Sequence, residues 1–131
     1  MLLRVVRDGP CRVLAVTSDG GACPLLEFLD GLTGKLAGDG VRMLSRLTYV
    51  AQNGVPRNAM WCHQIQKQIW QLRQGDLRIL YFTDGPSVVI CSHGFVKKGQ
   101  STPAPEINRA QERAERYKKD KFARKLQVED V

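Results

Sequence analysis

The stretch from Trp70 to Phe82 constrains the fold of this chain more than any other part of its sequence. Two runs rich in apolar residues, Ile65–Arg73 and Leu77–Thr83, lie on either side of the dipeptide Gly75-Asp76. A glycine-containing dipeptide between two such runs is typical of a two-residue β-hairpin loop. The sequence therefore predicts two antiparallel strands joined at Gly75-Asp76.

This hairpin also fixes a register. Gln74 pairs with Leu77, and Arg73 stands directly across from Arg78. Opposed side chains place their Cβ atoms about 4.5–5.5 Å apart, and like charges at that distance are destabilising. A phosphate would relieve the repulsion, because guanidinium groups bind phosphate through two N–H donors. The alternative is two solvated arginines that splay apart at the hairpin tip.

The other apolar patterns predict an α+β fold. Helical spacing predicts two consecutive amphipathic helices before the hairpin and a third after it. In the second helix, Asp39 is the expected N-cap and Asn53-Gly54 the end. The predicted elements are a strand over Cys11–Thr17, helices over Pro24–Leu32 and Asp39–Gln52, the two hairpin strands, a strand over Ser87–His93 and a helix from Pro103. This order, strand-helix-helix-strand-strand-strand-helix, gives a small, mostly antiparallel sheet with helices packed on it.

Length and hydropathy indicate how the chain is organised. The 131 residues fit a single domain. From about residue 119 the apolar stripe of the last helix weakens, so we expect this basic tail to fray or to await a partner. No run of apolar residues is long enough to span a membrane, and the first residues lack the pattern of a signal peptide. We therefore expect a cytoplasmic protein.

The charge of the chain suggests an anionic partner. The net charge is +7, and residues 97–131 carry 10 basic and 6 acidic residues. Such a basic segment is typical of binding to nucleic acid, a ribosome or an acidic protein. A solvated helix face is the alternative interpretation.

The cysteines do not indicate a metal site. They are widely spaced and form no Cys-x-x-Cys motif, so we expect free thiols and no metal. The pairs Cys62-His63 and Cys91-Ser92-His93 could supply four zinc ligands, which is a remote alternative, because structural zinc sites usually use closer ligand spacings.

A second group of candidate residues follows the last predicted strand. Lys97 and Lys98 could neutralise a phosphate there, and Phe95 could stack on an unpaired base. His93 has the intrinsic pKa of a general base or acid. The alternatives are a core position for Phe95, a surface lysine pair and a structural His93.

The ordered segments Ile69–Arg73, Leu77–Phe82, His93–Lys98 and Thr102–Ala110 together resemble the signature of the HigB branch of the RelE-like bacterial toxins and of related phage-derived proteins. The resemblance implies the toxin of a type II toxin–antitoxin system, a ribosome-dependent mRNA endoribonuclease, or mRNA interferase. In such enzymes the 2′-hydroxyl of the substrate attacks the adjacent phosphate, which leaves a cyclic phosphate. The implied partners are mRNA on the ribosome and a helix-turn-helix (HigA-type) antitoxin, and no cofactor is implied.

The resemblance also assigns roles. Arg73 and Arg78 match strand arginines that stabilise charge, and Lys97 and Lys98 match a basic pair suited to phosphate contact or proton transfer. His93 falls near that site.

The sequence departs from the family pattern at three points. Gln71 stands where relatives often carry glutamate, the strand lysines of many relatives are missing, and the first tyrosine after Lys98 is Tyr117. The competing interpretation is therefore a catalytically silent phage or prophage protein of the same fold that only binds RNA, ribosome or a protein partner.

Overall fold

The computed structural model describes residues 1–57 and 60–130. Over these residues the chain forms three helices and one seven-stranded sheet. The strands are β1 (Leu2–Arg7), β2 (Arg12–Val16), β3 (Cys62–Gln66), β4 (Ile69–Gln74), β5 (Leu77–Thr83), β6 (Val88–Val96) and β7 (Gln127–Glu129). The helices are α1 (Pro24–Asp30), α2 (Lys35–Asn53) and α3 (Ala104–Phe122).

The sheet is mixed and has helices on both faces. Its strand order is β3-β4-β5-β6-β2-β1-β7. Strands β3 to β6 form an antiparallel meander, β2 pairs parallel with β6 and antiparallel with β1, and β7 pairs parallel with β1. One hydrophobic cluster joins the sheet to α1 and α2, and another joins the opposite face to α3. The α+β class is thus confirmed, but the expected small, mostly antiparallel sheet is wrong.

Three strands account for the difference from the predicted element order. Strand β1 precedes the first predicted strand, and β7 follows the last helix. The predicted strand Ile65–Arg73 is two strands, because the chain turns at Lys67 and Gln68. Neither residue is one of the usual turn formers, so no local signal predicts a break there. The tail after about residue 119 continues as helix to Phe122 and then forms β7 beside β1, which differs from the expected frayed segment.

The three predicted helices are present with shifted ends. Helix α2 begins at Lys35 rather than at Asp39, so the expected N-cap role of Asp39 is wrong. Gly54, with φ 82° and its N–H bonded to the carbonyl of Val50, ends this helix as expected. None of the helices in the described ranges combines the length and the apolar character needed to cross a membrane.

The β4–β5 hairpin has the register that the sequence predicts. Gln74 pairs with Leu77 and Arg73 with Arg78. Gly75 has φ 56°, and a Cβ at this position would lie 2.6 Å from the Asp39 carboxylate oxygen Oδ2. Only glycine satisfies both the turn and this close approach. The buried Asp39 of α2 therefore packs directly against the hairpin tip.

A β-bulge in β6 decides which side chains face α3. Leu80 pairs with His93 and Tyr81 pairs with Cys91, so Ser92 is an extra residue on β6. A bulge of this kind reverses the alternation of side chains beyond it. His93 consequently faces α3, whereas unbroken alternation would have turned it toward α1 and α2.

Candidate functional site

A cleft of about 300 Å³ lies where β3 and β4 meet the segment between β6 and α3. We call it the hairpin cleft. Seven of its nine lining residues have polar or charged side chains, and none of the described ones is a carboxylate. The lining residues are His63, Ile65, Gln71, Arg73, Lys97, Gln100, Ser101, Thr102 and Ile107.

His63 and Arg73 form the closest pair of charged or titratable groups in this cleft. The His63 Nε2 atom lies 3.0 Å from the Arg73 Nη2 atom. Arginine only donates hydrogen bonds, so the imidazole Nε2 accepts and the ring is neutral with its proton on Nδ1. Burial, followed by the positive charges of Arg73, Arg78 and Lys97, lowers the pKa of His63 from 6.5. The cleft thus holds a neutral imidazole beside cations.

Gln71 connects β4 to the segment before α3. Its Oε1 atom accepts a hydrogen bond of 2.8 Å from the Thr102 hydroxyl, and its side chain is buried. Its Cα is the cross-strand partner of His63. Gln71 is therefore a fixed, uncharged amide directly opposite the histidine.

Arg78 does not splay into solvent. It is only 6% exposed, and its Nη1 atom donates to the carbonyls of Gly75 and Leu77 at 2.7 and 2.8 Å. Burial and then the charge of Arg73 lower the pKa of Arg78. Among the described residues, the Nε atoms of both arginines are buried without a hydrogen-bond partner, and neither arginine forms an ion pair. The charge of Asp76 on the hairpin turn opposes part of this shift in Arg78. The hairpin therefore holds two close positive charges, neither of them in an ion pair with a described carboxylate.

The two predicted lysines lie in different environments. Lys97 lines the hairpin cleft, and its backbone N–H donates to the carbonyl of Asp76 at 2.7 Å. Lys98 is exposed and does not line the cleft. The structure thus brings Lys97, but not Lys98, together with Arg73.

His93 lies outside the cleft, buried under α3 at 3% exposure. Its Nδ1 atom is 2.8 Å from the Ser92 hydroxyl and 3.4 Å from Arg113 Nη1, and its Nε2 atom is 3.4 Å from Glu106 Oε1. Burial, then Arg113 and Arg109, lower the pKa of His93 to about 4. We call these contacts the His93 cluster. His93 is therefore closed to solvent in this conformation and does not line the hairpin cleft, near which the resemblance placed it.

Phe95 lies beside this cluster in the core. It is 8% exposed, and its ring centroid is 6.2 Å from that of His93. The base-stacking role expected for Phe95 is not available in this conformation, because the ring packs in the apolar layer between the sheet and α3.

The possible zinc ligands lie on opposite faces of the sheet, and the helix tyrosine does not line the cleft. Cys62 and Cys91 belong to the cluster under α1 and α2, whereas His63 and His93 face α3. In the described part of the chain, no three cysteine, histidine or acidic side chains converge as a metal site would require. Tyr117 donates a hydrogen bond of 2.6 Å to Asp84, on the turn between β5 and β6.

His63 is a site residue that the sequence alone does not identify as a catalytic candidate. The segment Val55–His63 shows no clear helix or strand periodicity, so the sequence assigns no cross-strand neighbour to His63. The β3–β4 turn is what brings His63 opposite Gln71 and next to Arg73. Recognition of that turn would have revealed the pair.

The part of the chain that contains the whole cleft matches a known protein family. The family described as Phage derived protein Gp49-like (DUF891) matches residues 27–115, about two thirds of the chain. The chain belongs to the Gp49-like family. This family is one of RelE/HigB-like toxins, associated with toxin–antitoxin systems, which suggests an antitoxin as the partner of a Gp49-like chain. The match leaves out β1, β2 and β7. A comparison with curated proteins finds no match.

Proposed function

We propose that this Gp49-like protein is the toxin of a type II toxin–antitoxin system and a ribosome-dependent mRNA endoribonuclease, related to the HigB branch of these toxins. The observation that carries the proposal is the contact between the neutral His63 and Arg73 in a cleft that Lys97 also lines. The combination of a base with cations, in a cleft whose described lining has no carboxylate, suits cleavage of a phosphodiester.

The proposed reaction uses the 2′-hydroxyl of the RNA itself. O2′ attacks the adjacent phosphorus, the bond from phosphorus to O5′ breaks, and the products carry a 2′,3′-cyclic phosphate and a 5′-hydroxyl. His63, which is neutral near pH 7 because its pKa is lowered, takes the proton from O2′. Arg73 and Lys97 neutralise the charge that develops on the phosphorane oxygens.

His63 can act as a base only after Arg73 has released its Nε2 atom, and substrate binding brings about this release. In the free protein Arg73 donates to the lone pair of His63 that would have to accept the substrate proton. A phosphate is a stronger acceptor for a guanidinium than a neutral imidazole, so its arrival draws Arg73 away and frees Nε2. The buried charge of Arg78 repels Arg73 from across the hairpin and favours its contact with the anion. Lys97 then donates a proton to the leaving O5′.

Gln71 favours a second candidate function. The described lining of the cleft has no carboxylate, and Gln71 occupies the position where relatives often carry one. A cleft with cations and no acidic group can bind RNA or ribosome without cutting. The second candidate is therefore a catalytically silent binding protein of phage or prophage origin.

Primer extension on ribosome-bound message, after brief expression of the protein, separates these functions. We expect new 5′ ends with the wild type, none with Arg73→Gln, and the wild-type pattern with Arg116→Gln, an exposed arginine on α3. If the wild type gives no new ends but co-sediments with ribosomes, the silent binder is supported. Co-expression with the helix-turn-helix protein from an adjacent gene should suppress the cuts.

A further inference from the structure

A second basic surface lies on the α2 side of the β4–β5 hairpin. It is a groove with a volume of about 650 Å³, and no acidic residue lines it among the described residues. We call it the aromatic groove. Its lining residues are Arg42, Ser45, Arg46, Tyr49, Pro56, Trp61 and Gln74.

Two aromatic rings and one guanidinium form the floor of this groove. The Tyr49 and Trp61 rings meet edge to face, with centroids 5.8 Å apart and planes at 82°. The Arg46 guanidinium carbon lies 4.9 Å from the Trp61 ring centroid, within the range of a cation–π contact. Tyr49 remains 48% exposed although its neighbours hold it in place. An exposed, positioned aromatic ring of this kind is a stacking surface.

Contacts connect the aromatic groove to the hairpin cleft. Arg46 Nη1 donates a hydrogen bond of 2.5 Å to the carbonyl of Arg73. Between the two sites lies a depression of about 410 Å³ that shares Arg46, Trp61 and Gln74 with the groove and Arg73 with the cleft. A single extended ligand could therefore lie in both sites by crossing the hairpin tip at Gly75.

We propose that the aromatic groove binds an unpaired base of the RNA strand whose backbone enters the hairpin cleft. Tyr49 stacks on that base, and Arg42 and Arg46 neutralise the neighbouring phosphates. Arg42 is 66% exposed and forms an ion pair with Asp39 on the same helix, with 3.3 Å between Nη1 and Oδ1. Aromatic rings beside arginines match the chemistry of single-stranded nucleic acid. The proposal rests on the proposed function in taking RNA as the ligand.

The test compares two uncleavable probes that differ only in their bases. One is a fluorescent 2′-O-methyl RNA of about ten nucleotides, and the other is an abasic strand with the same phosphates. We expect the wild type to bind the first about tenfold more tightly, as measured by fluorescence anisotropy, since each stacked base strengthens binding by roughly this factor or more. Tyr49→Leu should abolish this preference, and Arg42→Gln should weaken the binding of both probes by the same factor. Phe122→Leu removes another exposed aromatic ring, far along α3, and should keep the preference.

The outcomes distinguish the groove from the proposed function. Equal binding of both probes by the wild type, or an unchanged preference in a Tyr49→Leu protein with wild-type melting temperature, overturns the proposal for the groove even if the wild type cuts message. A Tyr49-dependent preference in a protein that cuts nothing supports the groove while the proposed function fails. If Tyr49→Leu keeps the preference but loses neutralisation by the antitoxin, the groove belongs to a protein partner and the proposal is wrong.

Discussion

The two histidines of this chain have similar partners and opposite surroundings. His63 and His93 both face α3 from the sheet, and each has a nitrogen atom within 3.4 Å of an arginine. His63 lies in an open cleft with Arg73, and no carboxylate lines that cleft in the described part of the chain. His93 is buried, with Arg113 on one ring nitrogen and Glu106 near the other.

This difference shows that burial and access, rather than residue type, decide what a histidine can do. The pKa of each is lowered, and burial is the largest cause for both. His63 keeps a path to an incoming ligand, so its neutral ring can act as a base. His93 has none in this conformation, so its neutral ring acts in packing and in holding α3 against β6.

The largest effect is expected from Arg73→Gln, which removes the main cation of the hairpin cleft. Loss of a preorganised donor to a developing oxyanion lowers rates by about 10²–10³-fold, and we expect a loss of about 10³-fold in ribosome-dependent cleavage. Growth arrest on induction should disappear as well. Arg116→Gln serves as the exposed control, and equal toxicity of the two variants would contradict the assignment of the cleft.

Removing the proposed base should have the next largest effect. His63→Gln should reduce cleavage by about 10²-fold, the lower range for general base catalysis. Because the neutral ring is the active form, the wild-type rate should rise with pH through the lowered pKa of His63, which lies below 6.5, and stay level above it. The variant should lose this rise. The cleavage rate of His93→Gln should still rise with pH. Assays of both variants over the same pH range therefore show which histidine is the base.

The His93 cluster should control stability rather than cleavage. The pKa of His93 is about 4 in the folded protein and 6.5 when the residue is exposed, so the unfolded state binds the proton more tightly. Stability should therefore be present above 6.5 and fall as the pH drops toward 4, by about 2 kcal/mol between pH 7 and pH 5 from this residue. Urea unfolding at both values should show a smaller decrease for His93→Gln than for the wild type or His63→Gln. Equal decreases would contradict the burial of His93.

The smallest effect is expected from Gln71→Glu, which places a carboxylate opposite His63 and leaves His93 unchanged. The new oxygen can still accept the hydrogen bond from Thr102. A negative charge favours the protonated imidazole, so the pKa of His63 should rise. The pH–rate profile should shift to higher pH with it. NMR titration of the two histidine rings would check that the pKa of His93 stays unchanged.

The parts of the molecule that could be predicted are those marked by a short sequence pattern, such as a turn-forming dipeptide. The hairpin register followed from Gly75-Asp76, and Arg73 opposite Arg78 followed from the register. The turn at Lys67 and Gln68 carries no such signal, so β3 was missed and the partner of His63 with it. The position of His93 could not be predicted, because a single bulged residue in β6 reverses which face it occupies.

The Gly-Asp hairpin, the three amphipathic helices and the pairing of two arginines can be predicted from the sequence alone, because each depends on residues close together in the chain. The tertiary structure decided that Arg78 turns to the loop carbonyls, that Lys97 rather than Lys98 joins Arg73, and that His63 rather than His93 lies in the cleft. These outcomes depend on strand pairing, on a bulge and on the packing of α2 against Gly75, which bring together residues from distant parts of the chain.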